Sequence, residues 1–512
     1  MTALASFAAN LRSWSGSQPD APAITVAAAG SPPESMTYGE LHRLSNRVAN
    51  ALAGLGVGAG DRVAHVGRNR TGYPALLYGA SKVRATLVGL NWRLTPGELA
   101  PLFGDSCPTV TVADDEFSAA VGTALDAAGV SAAVVSGDDV QAWAATDDQD
   151  PGAEPAADDV ALVFYTSGTT GVPKGVCLSV QSIANNLHRP APWHMRPHAA
   201  VMICSPMFHT AGTGWLYLSG FHGAHTLVLR DPAPTAILAA IAEHRVAQAL
   251  LVPTVIQMVL DEPALPTTDL SSLETLVYGA SPIPPSVVAR AIDAFGCDFV
   301  QAYGMTETGG PITYLLPEDH DATDTNGRLR SAGRPPEGIE VQVVDPETGE
   351  PCPPDVFGEV WTRSDQQMTG YLNLPDATAT TLTPDGWLRT GDGGYRDRVG
   401  YLFLTDRLSD VIITGAENVY PLEVERVLGA HPSIAEAAVV GTPHERWGET
   451  VHAVVVAAPG RAINDADLIE WCRERLAHFK APTAVTVVDA LPKNPAGKVL
   501  RRVVREPFWS AP

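Results

Sequence analysis

Leu41, Leu44, Val48, Leu52 and Leu55 recur three and four positions apart, the repeat of one helix face. They follow Thr37-Tyr38-Gly39-Glu40, whose capping-box spacing opens a helix. Gly56 and Gly58 close it, and Arg62 to Val66 reads as a short strand. Helix and strand are expected to alternate through 67–113. Residues 136–158 are acidic and poor in bulky apolar side chains, so a surface loop is expected there. Val160 to Tyr165 is an apolar, β-branched and aromatic run, the pattern of a buried strand. Similar runs, VMICSP, HTLVLR, ALLVP, TLVYGA and DFVQAYG, recur through 199–300 and predict α/β layers. From 339 to 405 the texture changes to short strands with Gly, Pro and Asp turns. A smaller α/β unit follows from about 410. It is read as a helix from Pro421, strands at 436–440 and 451–457, a helix at 464–478 and a last strand at 485–488. The boundary is placed near Asp406 to Asp410.

Length agrees with that division. At 512 residues the chain suits one large domain and a smaller one. The net charge of -23 disfavours nucleic acid and anionic membrane as general partners. A polyanionic ligand would have to be met by local clusters of backbone N–H, Lys and Arg. The six cysteines, Cys107, Cys177, Cys204, Cys297, Cys352 and Cys472, are scattered without a C-x-x-C pair. This argues against a disulfide framework or a structural zinc, and fits a reducing cytosol. The start, MTALASFAANLRSWSG, lacks the pattern of a secretory signal, and no stretch of about 18 uncharged apolar residues could span a membrane. A cytoplasmic location is expected.

The chemistry concentrates in YTSGTTGVPKG, Tyr165 to Gly175, directly after the predicted strand. Glycines let backbone come close to a ligand, and their N–H groups can cradle phosphate oxygens. Ser167, Thr169 and Thr170 add neutral donors, and Lys174 adds charge. A flexible Ser/Gly linker is the bland alternative, but linkers rarely sit directly after a buried strand. A Walker loop is excluded, because Lys174 is followed by Gly175 where that motif needs Ser or Thr.

This stretch resembles the signature of the adenylate-forming superfamily, which includes acyl-CoA synthetases, peptide-synthetase adenylation domains and luciferases. Matches run from about 37 to 502. The resemblance implies an α/β fold with a large N-terminal domain, 1–408, of layered α/β subdomains plus a β-rich subdomain. A small mobile α+β C-terminal domain, 409–512, hinges at Ser409. It places ATP on Thr166, Ser167, Gly168, Thr169, Thr170, Gly171 and Lys174, and the adenine on the turn Gly279-Ala280-Ser281. In QAYGMTE, Gln301 to Glu307, it has Tyr303 stack on adenine beside Gly304, Thr306 contact the α-phosphate and Glu307 hold Mg²⁺. Asp392 in WLRTGD would bind ribose, and Arg407 in DRLSD would reach the ribose or phosphate. Lys498 in PKNPAGK would bridge the substrate carboxylate and the α-phosphate, with Lys493 a decoy. Alone, each motif has a plain alternative: a strand-end turn at 279, a core aromatic at Tyr303, a turn Asp at 392, a surface ion pair at Asp406-Arg407, a solvated Lys at 498.

Two positions depart from the family pattern. The hinge, usually Lys or Asp, is Ser409. The thiol-tunnel motif reads Gly415-Ala416-Glu417-Asn418, with Ala416 in place of a Gly; Trp447 is assigned to the same tunnel. Ser205 to Gly212 resembles the acyl-binding edge, where His209 gates the pocket; a core or capping histidine is the alternative. His209 stands where amino-acid-activating relatives have Asp, which argues against an α-amino acid. Gly304 stands where acetate-activating relatives have Trp, so a pocket larger than acetate needs is expected. Trp215, Val252, Thr254, Gly279, Gly304 and Pro311 are its candidate lining, with Trp215 limiting its depth. Medium-chain, alicyclic, aryl and fatty acids all fit.

The leading expectation is an AMP-forming acyl-CoA synthetase using ATP, Mg²⁺ and coenzyme A on a small carboxylic acid. An acyl-AMP ligase loading a carrier protein is a second reading, and a non-catalytic adenylate-binding protein a third. No nucleic acid and no integral membrane segment are expected, and oligomeric state is open, a homodimer included.

Overall fold

A computed structural model describes the chain apart from residues 1–5, 29, 146, 167–172, 282, 408–409, 415–416, 445–446, 494–496 and 510–512. Two large sheets organise the first part. The eight-stranded one runs Gly310–Leu315, Asp298–Met305, Thr275–Gly279, Val246–Leu251, Ala200–Ile203, His225–Leu229, Pro22–Ala27 and Glu34–Thr37. Its middle strands are parallel and each edge pair is antiparallel. The seven-stranded one runs Gly370–Tyr371, Lys174–Ser179, Val160–Thr166, Thr86–Leu90, Arg62–Val66, Val110–Ala113 and Ala133–Ser136. In Thr86–Leu90 every residue is buried. Helices cover both faces of such a strand, so its sequence reads as one apolar run. The apolar segments found in the sequence are therefore these parallel strands.

Glu340–Val344, Gly358–Arg363, Leu388–Arg396 and Leu402–Arg407 form a separate antiparallel sheet, and burial alternates along Gly358–Arg363. Beyond it, Glu417–Val419, Ile412–Thr414, Gly448–Ala457, Ile434–His444 and Ala484–Val487 form a five-stranded sheet. This sheet has its own apolar core, built around Ile412, Val439, Val451, Ala453 and Val455.

The capping box is present, with Thr37 N–H donating to Glu40 Oε2 at 2.8 Å and Glu40 N–H to Thr37 Oγ1 at 3.2 Å. Three expectations need correction. The acidic segment 136–158 is not all loop. Val140–Trp143 is a short helix capped by Asp139, and Val140 and Ala144 reach the core. The segment is also tied down, as Arg12 grips Asp150 through two 2.7 Å bonds and Asn46 donates to Asp148 O. The helix expected at 464–478 ends sooner, at Asp465–Arg473, before a single turn at His478–Lys480. A last helix, Arg501–Trp509, was not expected. Among the described residues no helix is long and apolar enough to cross a membrane.

Candidate active site

The phosphate-loop candidate is a hairpin. Val160–Thr166 runs antiparallel to Lys174–Ser179, with Tyr165 opposite Gly175 and Thr166 opposite Lys174. Ser167, Gly168, Thr169, Thr170 and Gly171 lie outside the described residues. Tyr165 anchors the first strand by donating to Asp105 Oδ2 at 2.7 Å. At the hairpin base stands Glu307, buried on the single turn Thr306–Thr308. A buried carboxylate is costly unless hydrogen-bonded. Thr166 Oγ1 donates to Glu307 Oε1 at 3.3 Å, and Tyr371 OH donates to the same oxygen at 3.0 Å. Lys174 Nζ lies 4.8 Å from the centre of the Tyr371 ring. Tyr371, which no sequence motif marked, thus joins Lys174 to Glu307. It sits on a two-residue strand pairing with Val176, too short to leave a periodic signal.

The adenine-turn and ribose candidates lie on two different sheets that a side-chain hydrogen bond joins. Gly279 pairs with Ala302, and a Cβ on Gly279 would stand 2.1 Å from Ala302 O. Ala280 follows with φ +67°, a left-handed conformation uncommon outside glycine. Ser281 is half-buried beside it. Tyr303 OH donates to Asp392 Oδ2 at 2.8 Å, linking the eight-stranded sheet to the antiparallel one. Arg407 stands opposite Asp392 on the adjoining strand. Thr306 is buried at the start of the turn that carries Glu307, and Thr308 fixes that turn by accepting from Met305 N–H at 3.0 Å. Gly304 pairs with Pro311, and a Cβ there would lie 2.5 Å from Gly310 O. Close strand packing therefore also requires glycine at 304.

The segment Ser205 to Gly212 is a turn into the helix Thr210–Phe221. His209 caps that helix, its Nδ1 accepting from Ala211 N–H at 3.1 Å. Burial lowers the His209 pKa, so the ring is neutral at pH 7 with its proton on Nε2. Buried Asn69, also unmarked by any motif, clamps this turn. It donates to Ser205 O at 3.1 Å and Leu229 O at 3.4 Å and accepts from Met207 N–H at 2.9 Å. Its partners lie more than a hundred positions away, beyond any local pattern. Trp215 is buried on the same helix, and Val252 caps the helix Pro253–Leu260 that carries Thr254.

The C-terminal unit reaches this region. Gly497 has φ +79°, and a Cβ on it would lie 2.8 Å from Thr254 Oγ1. Lys498, next to it, is exposed. Lys493 is held elsewhere, its Nζ 2.6 Å from Glu436 Oε2. Of the tunnel candidates, Gly415 and Ala416 lie outside the described residues, as does Ser409. Glu417 and Asn418 pair through their backbones with Thr414 and Ile413. Trp447 is exposed, its N–H donating to His444 Nδ1 at 3.2 Å. A cleft of about 260 Å³ lined by Arg62, Arg84, Asp158, Asp159 and Leu372 contains none of these residues.

This architecture is that of an adenylate-forming enzyme, in class an ATP-dependent acid–thiol ligase. The AMP-binding enzyme family matches residues 11–372, and the AMP-binding enzyme C-terminal domain matches 423–498. The chain belongs to the AMP-binding enzyme family. It is 39% identical over 483 residues to the fatty acid–[acyl-carrier-protein] ligase ScoC of Streptomyces coeruleorubidus, covering 93% of this chain and 92% of that one. It is 38% identical to a feruloyl-CoA synthase of an Amycolatopsis species, covering 92% and 94%. Among solved structures, ATP-bound MatB from Rhodopseudomonas palustris superposes with a TM-score of 0.88 at 30% identity, covering 98% and 99%.

Proposed function

We propose that this chain is an acyl-CoA synthetase acting on a fatty, alicyclic or aryl acid. ATP lies with adenine on Tyr303 and the turn Gly279 to Ser281, ribose on Asp392 and Arg407, and phosphates in the hairpin from Thr166 to Lys174. A carboxylate oxygen attacks the α-phosphorus in line, and pyrophosphate leaves. Lys498 brings positive charge to the oxygens where negative charge accumulates, an effect strongest where water is excluded. The thiol of coenzyme A then attacks the acyl carbonyl and AMP departs. The units 1–408 and 409–512 turn about Ser409 between these steps, with the thiol entering past Ala416 and Trp447.

The observation that carries the reading is the buried Glu307 carboxylate held at the base of the Thr166–Lys174 hairpin. Its oxygens suit Mg²⁺, which takes few protein carboxylates and keeps phosphate and water oxygens. Bound there, Mg²⁺ would neutralise phosphate charge.

The names of the relatives divide over the acceptor: ScoC is a ligase for an acyl carrier protein, and the other is a synthase of a CoA ester. The ScoC likeness supports carrier loading as a second reading. Pyrophosphate release with ATP, Mg²⁺ and a panel of acids, with and without coenzyme A, separates the two when products are weighed by mass spectrometry. An acyl-CoA product is expected. Acyl-AMP persisting beside coenzyme A would favour a carrier protein, and no pyrophosphate with any acid would overturn adenylation.

A further inference from the structure

Of the proposed acyl lining, Trp215 lies on the helix Thr210–Phe221 and Pro311 on the strand Gly310–Leu315. Two indoles stand together there. Trp193 packs edge-on against Trp215, ring centres 5.2 Å apart, and edge-on against Tyr314 at 5.5 Å. Trp215 is 4% exposed and Trp193 5%. Neither indole Nε1 has a hydrogen-bond partner among the described residues. A buried indole N–H usually finds one, and leaving a buried donor unmet is costly.

The other buried polar side chains of the helix Thr210–Phe221 are satisfied. On the same helix, Thr213 Oγ1 bonds Tyr73 OH at 2.6 Å and Met207 O at 2.5 Å. Ser219 bonds Thr226. Trp215 is the exception on this helix, and Trp193, which packs on it, is the other. Arg189, whose charge acts on Tyr314, is committed to Asp365 at 2.6 Å. A second carboxylate brought here would therefore be buried without a cation of its own, at high cost. A neutral oxygen suits two neutral donors.

We propose that Trp193 and Trp215 present their indole N–H groups to the acyl group, so that the enzyme selects acids with a neutral oxygen acceptor (hydroxyl, alkoxy or keto) at the end remote from the carboxylate. Hydrocarbon acids of equal size leave both donors unmet and are disfavoured. This inference rests on the acyl-pocket assignment made above.

Matched acids test it. ATP–pyrophosphate exchange is measured for para-methoxyphenylpropanoate against para-ethylphenylpropanoate, and for an aliphatic keto acid against its methylene analogue. Sites built to bond a substrate oxygen discriminate strongly, so kcat/KM is expected to favour the oxygenated member about tenfold or more. Trp215→Phe and Trp193→Phe should each shrink that ratio, slowing the oxygenated acid more than its hydrocarbon match, with KM for ATP unchanged. A wild-type ratio near one, or a ratio that neither variant moves, overturns the inference, and edge-on N–H to ring contacts then account for the donors. Trp215→Ala separates the two readings: if it shifts the preference for long over short acids while oxygen has no effect, the pocket stands and the inference falls. If it changes no acid's KM, both fall. Because a variant can misfold, indole ¹⁵N–H shifts in the wild-type protein give a second readout. Both resonances should move with the methoxy acid and ATP, and stay with the ethyl acid; no difference counts against the proposal.

Discussion

Tyr371 OH meets Glu307 Oε1 at 3.0 Å while the face of its ring lies 4.8 Å from Lys174 Nζ. One aromatic side chain thereby spaces the Lys174 cation from the buried Glu307 carboxylate. Tyr371→Phe keeps the ring and removes the donor. A hydrogen bond to a charged group is worth about 1.5–3 kcal/mol, so KM for MgATP should rise about tenfold or more, with KM for the acid changing less. Initial rates at varied Mg²⁺ and ATP would show it; equal rises for both substrates would contradict it.

The two C-terminal lysines should separate sharply. Lys493 is spent on Glu436, 2.6 Å away. Lys498→Ala is expected to slow adenylation by about 10²-fold or more, the scale for losing one preorganised electrostatic group. Lys493→Ala should change it less than about threefold, the scale of a surface ion pair. Thioester formation from supplied acyl-AMP should survive both substitutions. Loss of both half-reactions in Lys498→Ala would count against a swinging C-terminal unit.

Asn69 holds the turn that delivers His209 by three hydrogen bonds. Asn69→Ala should raise KM for the acid about tenfold while KM for ATP stays within about twofold, as expected when buried main-chain groups lose their partner near one substrate only. Equal effects on both substrates would mean that the residue serves general stability alone.

Lys82 makes stability depend on pH. Its amino group is fully buried and donates to Ser45 Oγ at 2.7 Å and Asn46 Oδ1 at 2.5 Å, with His42 Nδ1 at 3.1 Å. Desolvation lowers its pKa to about 7, whereas an unfolded lysine titrates near 10. Between those values the unfolded chain binds the extra proton, so stability should rise with pH from about 7 toward 10. Below about 7 both states are protonated and this contribution is constant. His42, lowered to about 4 chiefly by burial, adds a rise of the same sign between about 4 and 6.5. Urea unfolding at pH 7, 8 and 9 should show the upper rise, and Lys82→Met should flatten it. An equal slope in the variant would assign the rise to other groups.

Much of the fold was legible because parallel strands buried on both faces, such as Ala200–Ile203, print as continuous apolar runs. What escaped was of two kinds. The helix Arg501–Trp509 carries three arginines and an internal proline and buries little beyond Val504, so its apolar face is too thin to show. Tyr371 and Asn69 act through partners distant along the chain, and a contact across 138 positions leaves no mark in local spacing. The left-handed Ala280 was equally silent, because alanine does not advertise that conformation.

Gly497 rests against Thr254, a member of the proposed acyl lining, so an acid bound as proposed would share that side chain with the protein's own C-terminal unit. Linkage makes such sharing reciprocal. An acid that favours this seating stabilises the docked unit by the same factor by which docking tightens the acid. Under the proposed function, chain length and domain position would become one thermodynamic variable, and selectivity would be read out as the time the C-terminal unit spends closed over its substrate.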